Sequence, residues 1–154
     1  MSKTVTCNID PIALEPLVDS WLGEVNNDKF GLVIDKDKAI DDLRSMVFSP
    51  DADLFLLVVG DDIVGFSGVI VYENRLTDNK IANEHYWYVS PGYRKGKNPI
   101  RLIRAVEKWA KDHECSHIIM NASNLASDKH DRIVRIYERL GYSLFETSLM
   151  KEVS

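Results

Sequence analysis

Apolar residues recur at helical spacing in four stretches of the chain. Leu14, Leu17, Val18, Trp21 and Leu22 predict a helix over Ile12 to Val25, and Ile40, Leu43, Met46 and Val47 predict another over Lys38 to Phe48, stopped by Ser49-Pro50-Asp51. Leu102, Ile103, Val106, Trp109 and Ala110 line one side of Ile100 to His113. Ile133, Ile136, Tyr137 and Leu140 do the same for Asp131 to Leu140, with Gly141 at the stop position. Short apolar or alternating runs predict strands at Leu54 to Val59, Ile63 to Tyr72, Ala82 to Val89, His117 to Ala122 and Ser143 to Lys151. Gly60-Asp61-Asp62 turns the first of these into the second. The order is helix, helix, antiparallel strands, then helix and strand in alternation. It predicts an α/β (α+β) fold in which helices cover both faces of a mixed, mostly antiparallel sheet.

Length and composition narrow the picture. The 154 residues, 45% hydrophobic and 28% charged, suit one domain, 1–154, able to bury a core without metal or disulfide staples. The longest apolar run, Leu54 to Val59, is far too short to span a membrane, and the N-terminal MSKTVTCNID does not read as a secretory signal. Cys7 and Cys115 form no disulfide framework, and no Cys/His spacing predicts a metal. A cytoplasmic location is expected. The net charge of −5 argues against non-specific nucleic-acid binding and is compatible with a cationic substrate.

The charge is unevenly placed. Lys and Arg crowd Arg94 to Lys111, where Glu107 is the only acid. A basic loop thus opens the third helix. Helix N-termini carry unpaired N–H groups and partial positive charge, which suits an anion. Gly96 can bend the backbone so that its amides converge, and Arg94, Lys95, Lys97 and Arg101 add charge where a diphosphate could lie. The plainer alternative is a basic turn leading into a solvated helix face.

The segment Val89-Ser90-Pro91-Gly92-Tyr93-Arg94, followed by a helix, resembles the cofactor motif of the GNAT superfamily of acyl-CoA-dependent N-acyltransferases. A second landmark, Ile136-Tyr137-Glu138-Arg139-Leu140-Gly141-Tyr142, is similar to that family's L-Y-x-x-x-G-F/Y. The resemblance extends over roughly Leu54 to Val153. In the register set by Arg94, Lys97 and Pro99 stand where the family has glycines, and Pro99 removes an amide donor from the loop.

The resemblance implies transfer of an acetyl group from acetyl-CoA to a primary amine of a small molecule or protein, by direct attack in a ternary complex. It implies no metal, membrane or nucleic-acid partner, and it is compatible with a family-like homodimer. Coenzyme A contacts are expected from Val89, Arg94, Lys95, Gly96, Lys97, Asn98, Arg101 and Asn124, with the backbone N–H of Val89 or a neighbour serving the oxyanion.

Tyr137 is the expected acid for the departing thiolate, although an aromatic on an apolar helix face is also an ordinary core residue. The base is His85, Glu84 or ordered water. Strict alternation along Asn83 to Val89 would place His85 with Trp87 and Val89, and Glu84 with Tyr86 and Tyr88. Asn121 could contact pantetheine or form a turn. Trp21, Phe30 and Tyr72 could wall the acceptor pocket or belong to the core. Two rivals stay open: a catalytically silent coenzyme A-binding regulatory protein, and a protein-interaction module on the same fold.

Overall fold

The computed structural model describes residues 1–25, 30–123 and 129–153. Five strands form a sheet in the order β1 (Ser2–Thr6), β2 (Ala52–Val59), β3 (Asp62–Tyr72), β4 (Ile81–Val89) and β5 (His117–Ile119). Neighbours pair antiparallel from β1 to β4, and β5 joins β4 in parallel. The helices are α1 (Glu15–Glu24), α2 (Lys36–Phe48), α3 (Asn98–Asp112) and α4 (His130–Arg139).

Local chemistry accounts for several boundaries. The Asp35 carboxylate accepts from the Lys38 N–H at 2.9 Å and caps α2. Pro11 and Pro16 divide the predicted first helix into a 3-10 turn, Pro11–Leu14, and α1. After α4 the chain turns through Gly141 at φ 96°, a conformation that suits glycine.

Two cores sit on opposite faces of the sheet. Leu14, Leu17 and Val18 of the first helical stretch and Ile40 and Leu43 of α2 pack on Leu54, Leu56, Phe66 and Tyr88. Leu102, Val106, Trp109 and Ala110 of α3 pack on Phe55, Leu57, Val64, Val69, Ala82 and Val89. This is the mixed, two-faced sheet expected from the hydrophobic pattern.

Three expectations change. Strand β1 was not predicted; it pairs Ser2–Thr6 with Phe55–Val59, and its short mixed sequence leaves little periodicity to detect. The fourth predicted strand, His117 to Ala122, ends at Ile119 as β5. Ser143 to Lys151 forms no strand. Its apolar residues come as adjacent pairs, Leu144-Phe145 and Leu149-Met150, so pairing would bury no single apolar face; all four side chains are exposed.

A bulge in each of two strands matters more for the site. Leu57 faces Gly65 but Val58 faces Ile63, so Val64 is the extra residue on β3. Gly68 faces Tyr86 but Val69 faces Glu84, so His85 is the extra residue on β4. Close contact between β3 and the end of β4 depends on a glycine, Gly65. A Cβ on Gly65 would lie 2.7 Å from the Tyr88 carbonyl oxygen and 3.3 Å from the Val89 Cα. Neither backbone atom can swing aside. Gly65→Ala should therefore destabilise the fold by about 1–3 kcal/mol, seen as a lowered midpoint in urea unfolding; an unchanged midpoint would show that the strands can separate freely here.

Candidate active site

The His85 bulge reverses the expected alternation of β4. Ala82 and Val89, seven positions apart, both face the α3 core, whereas Tyr88 faces α1 and α2. Glu84 consequently joins Trp87 on the α3 side, not Tyr86 and Tyr88. His85 itself is exposed, with its ring edge-on to Tyr86 at 6.0 Å between centroids.

Glu84 is 6% exposed. One carboxylate oxygen accepts from the Asn121 backbone N–H at 3.1 Å. The Asn121 side-chain amide donates to the Glu84 carbonyl at 2.5 Å and to Asn83 Oδ1 at 2.8 Å. Tyr137, on α4, donates its hydroxyl to the Asn121 carbonyl at 3.3 Å, and its ring packs on Trp87 at 5.5 Å. Asn121 thus ties together the bulge, the end of β5 and α4.

Burial dominates the titration of this group. It raises the Glu84 carboxyl to about 7, against the lowering effect of the Asn121 hydrogen bonds. Burial also pushes the Tyr137 phenol far up, helped by the neighbouring Glu84 and Tyr142. Tyr137 therefore remains a donor across the working pH range, while Glu84 can exchange a proton near neutrality.

The strands separate at this point. β4 and β5 pair only through Ile81–Asn83 and His117–Ile119, and beyond them Asn121 side-chain bonds replace the ladder. Farther along β4, the Ser90 N–H bonds the Val64 carbonyl at 2.8 Å. Antiparallel alternation then turns the N–H and C=O of Val89 away from β3, toward the side β5 has left. The Val89 N–H is thus left out of the ladder with β3.

The basic loop follows directly. Gly96 adopts φ 74°, bending the chain as its sequence position implied. The first helical bond of α3 runs from the Arg101 N–H to the Lys97 carbonyl at 3.0 Å, leaving the amides before it unused by the helix. Asn98 donates its side-chain amide to the Tyr93 carbonyl at 3.1 Å, and Trp87 Nε1 donates to the Pro99 carbonyl at 2.9 Å. Lys97, Ile100, Arg101, Arg104 and Lys108 line an open groove of about 680 Å³. Among the described residues, Lys95, Lys97 and Arg101 form no ion pair.

Arg94 is engaged elsewhere: its guanidinium meets Glu24 at 2.8 Å, and its Nε donates to the Val89 carbonyl at 2.6 Å. Asn124 lies outside the described residues. Trp21 packs against Phe66 and Tyr86 at 6.3 and 5.6 Å, as part of the core, while Tyr72 lies at the surface. No cluster of His, Cys, Asp and Glu able to hold a metal occurs among the described residues. No helix among them is long and apolar enough to cross a membrane. Sequence reasoning gave Asn121 only a minor place and did not single out Glu24. An acid at a helix C-terminus, where the dipole disfavours it, was the available signal for Glu24.

The Acetyltransferase (GNAT) family model matches residues 19–142. No curated protein matches the sequence. Among solved structures, a ribosomal-protein-alanine N-acetyltransferase from Brucella melitensis biovar Abortus 2308 is 16% identical, with TM-score 0.75 over 100% of both chains. A transcriptional regulator from Bacillus halodurans C-125 is 17% identical, with TM-score 0.75 over 99% of this chain and 100% of that one. AAC(6')-Iy in complex with the bisubstrate analog CoA-S-monomethyl-acetylneamine is 15% identical, with TM-score 0.71 over 100% of this chain and 99% of that one. At these identities the structural likeness is one of fold.

The raised Glu84 carboxyl has a consequence for stability. Between about 4.5 and about 7 the folded chain holds the Glu84 proton more tightly than the unfolded chain does. Glu84 therefore favours folding at low pH, and its contribution is lost as pH rises through about 7. Relative to Glu84→Gln, the native sequence should lose on the order of 2–3 kcal/mol across that window, measured by urea unfolding at several pH values. Parallel pH profiles for the two proteins would contradict the raised carboxyl.

Proposed function

The chain belongs to the Acetyltransferase (GNAT) family, and from that premise we propose that it moves an acetyl group from acetyl-CoA to a primary amine of a small molecule or protein. The observation that carries this reading is the placement of Glu84. A buried carboxyl, raised to about 7, stands at the bulge where β4 leaves β5, on the same strand as a Val89 amide turned to the opening.

The donor's anionic end fits the basic loop. Lys95, Lys97 and Arg101 supply charge, and the Gly96 bend and the α3 N-terminus supply amides for a diphosphate. Pro99 contributes none, so charge carries more of this contact than amides do. The acyl arm then runs along the gap between β4 and the end of β5, bringing the thioester carbonyl to the Val89 N–H. That donor stabilises the oxygen as it gains negative charge.

Attack by the amine makes its nitrogen strongly acidic. Glu84, ionised above about 7, takes the proton directly or through one water. The exposed His85 is the weaker choice on geometry, because its ring lies beside Tyr86, which packs on the α1 and α2 core. Tyr137 serves the leaving group. Its phenol is a weak acid in this setting and the departing thiol is a comparatively strong one, near ~8.5. Its contribution is therefore a hydrogen bond to the developing thiolate more than a completed proton transfer. The long 3.3 Å bond to Asn121 is readily exchanged for that purpose.

Lys97 and Pro99 in the loop favour a second reading, coenzyme A binding without turnover. Release of free thiol from acetyl-CoA in the presence of an amine panel separates the two. With a productive amine, kcat/KM should rise with pH to a midpoint near 7, and Glu84→Gln should abolish that limb with a loss of roughly 10²–10⁴-fold. If Glu84→Gln keeps the rate and His85→Gln loses it, the base is His85. Tyr137→Phe should lower kcat by roughly tenfold to a hundredfold while acetyl-CoA affinity stays unchanged; an intact kcat would make Tyr137 a packing residue only.

A further inference from the structure

We infer that Glu24 is a positioning residue for the acyl-donor loop, an assignment that rests on the acetyl-CoA reading above. Glu24 is the last residue of α1, where exposed carbonyls form the negative end of the helix. A carboxylate is locally disfavoured there, which points to a compensating contact from outside the helix. The Tyr88 hydroxyl donates to one of its oxygens at 2.6 Å, and the Arg94 guanidinium donates to both at 2.8 Å. The same guanidinium lies over the Tyr88 ring, 5.4 Å from its centroid, and its Nε holds the Val89 carbonyl at 2.6 Å. Lys129, the residue before α4, adds a second positive charge beside that of Arg94.

Through this one carboxylate, α1 is fastened to the last residues of β4 and to the start of the basic loop. Arg94 stands two positions before Gly96, so fixing its side chain fixes where the loop begins its bend. The contact through Val89 also sets the residue whose N–H faces the opening. Burial works to raise the Glu24 carboxyl, but the hydrogen bonds from Tyr88 and Arg94 prevail and hold it below the usual range. Glu24 thus stays ionised where Glu84 titrates.

The ion pair itself contributes little to global stability, because its side chains are 37% and 40% exposed. Its effect is geometric. Arg94 acts on the donor through placement, leaving Lys95, Lys97 and Arg101 to meet the phosphates.

Calorimetric titration of acetyl-CoA into the full chain tests this, with Glu24→Gln, Arg94→Gln, their combination, and Tyr88→Phe as an independent break in the contact. Each of the two charge variants should weaken binding roughly tenfold, and the double variant should bind no worse than the weaker single. Tyr88→Phe should weaken binding less. In turnover, Glu24→Gln should raise the acetyl-CoA KM while kcat falls by no more than about threefold, and Glu24→Asp should recover part of the loss. Wild-type affinity in Glu24→Gln would overturn the inference, as would losses that multiply in the double variant. If the unaltered chain binds no acetyl-CoA, the functional reading falls and this inference falls with it; binding by the unaltered chain with no effect of Glu24→Gln overturns this inference alone.

Discussion

The His85 bulge, at which β4 carries one residue more than β3 can pair, governs the arrangement of the site. It reverses which side chains of β4 face α3, bringing Glu84 inward beside Trp87. In the same place β4 ceases to pair with β5. A continuous ladder would have satisfied the backbone there and left no room for a ligand. The bulge instead leaves a gap bridged by Asn121 and flanked by a buried carboxyl and a buried phenol. Burying Glu84 is costly in its charged form, and that cost moves its titration to where a base for amine chemistry is useful.

The chain separates its charges to match. Cations gather in the loop before α3 and along that helix, while α1 carries Glu15, Asp19 and Glu24 and no base. The two halves meet at Glu24 and Arg94, across the end of β4. Arg94, which charge alone would assign to a phosphate, is occupied by a carboxylate and a carbonyl of its own chain. The loop's shape and the loop's charge therefore rest with different residues.

Much of this architecture was legible in the sequence because it depends on periodicity. Leu102, Val106 and Trp109 announce the buried face of α3, and Gly141 its counterpart's end, since burial requires that spacing and glycine suits that turn. The family resemblance followed from the Val89–Arg94 and Ile136–Tyr142 motifs. Which carboxyl or imidazole on β4 faces inward was not legible. A period of two assumes an unbroken ladder, and one extra residue reverses every assignment beyond it. Nor could the sequence show that Arg94 meets Glu24, seventy positions away. Contacts of that kind arise from packing α1 against the sheet, and leave only the faint sign of an acid at an unfavourable helix end.

The central claim is that the bulge places Glu84 inside and raises its carboxyl into the neutral range. Carbon-13 NMR of the chain labelled at its glutamate carboxyls, with Glu84→Gln used to assign the resonance, reads this directly. The account predicts a Glu84 titration midpoint near 7. A midpoint near 4.5, the ordinary value for a glutamate, would show that the carboxyl is solvated and contradict the account.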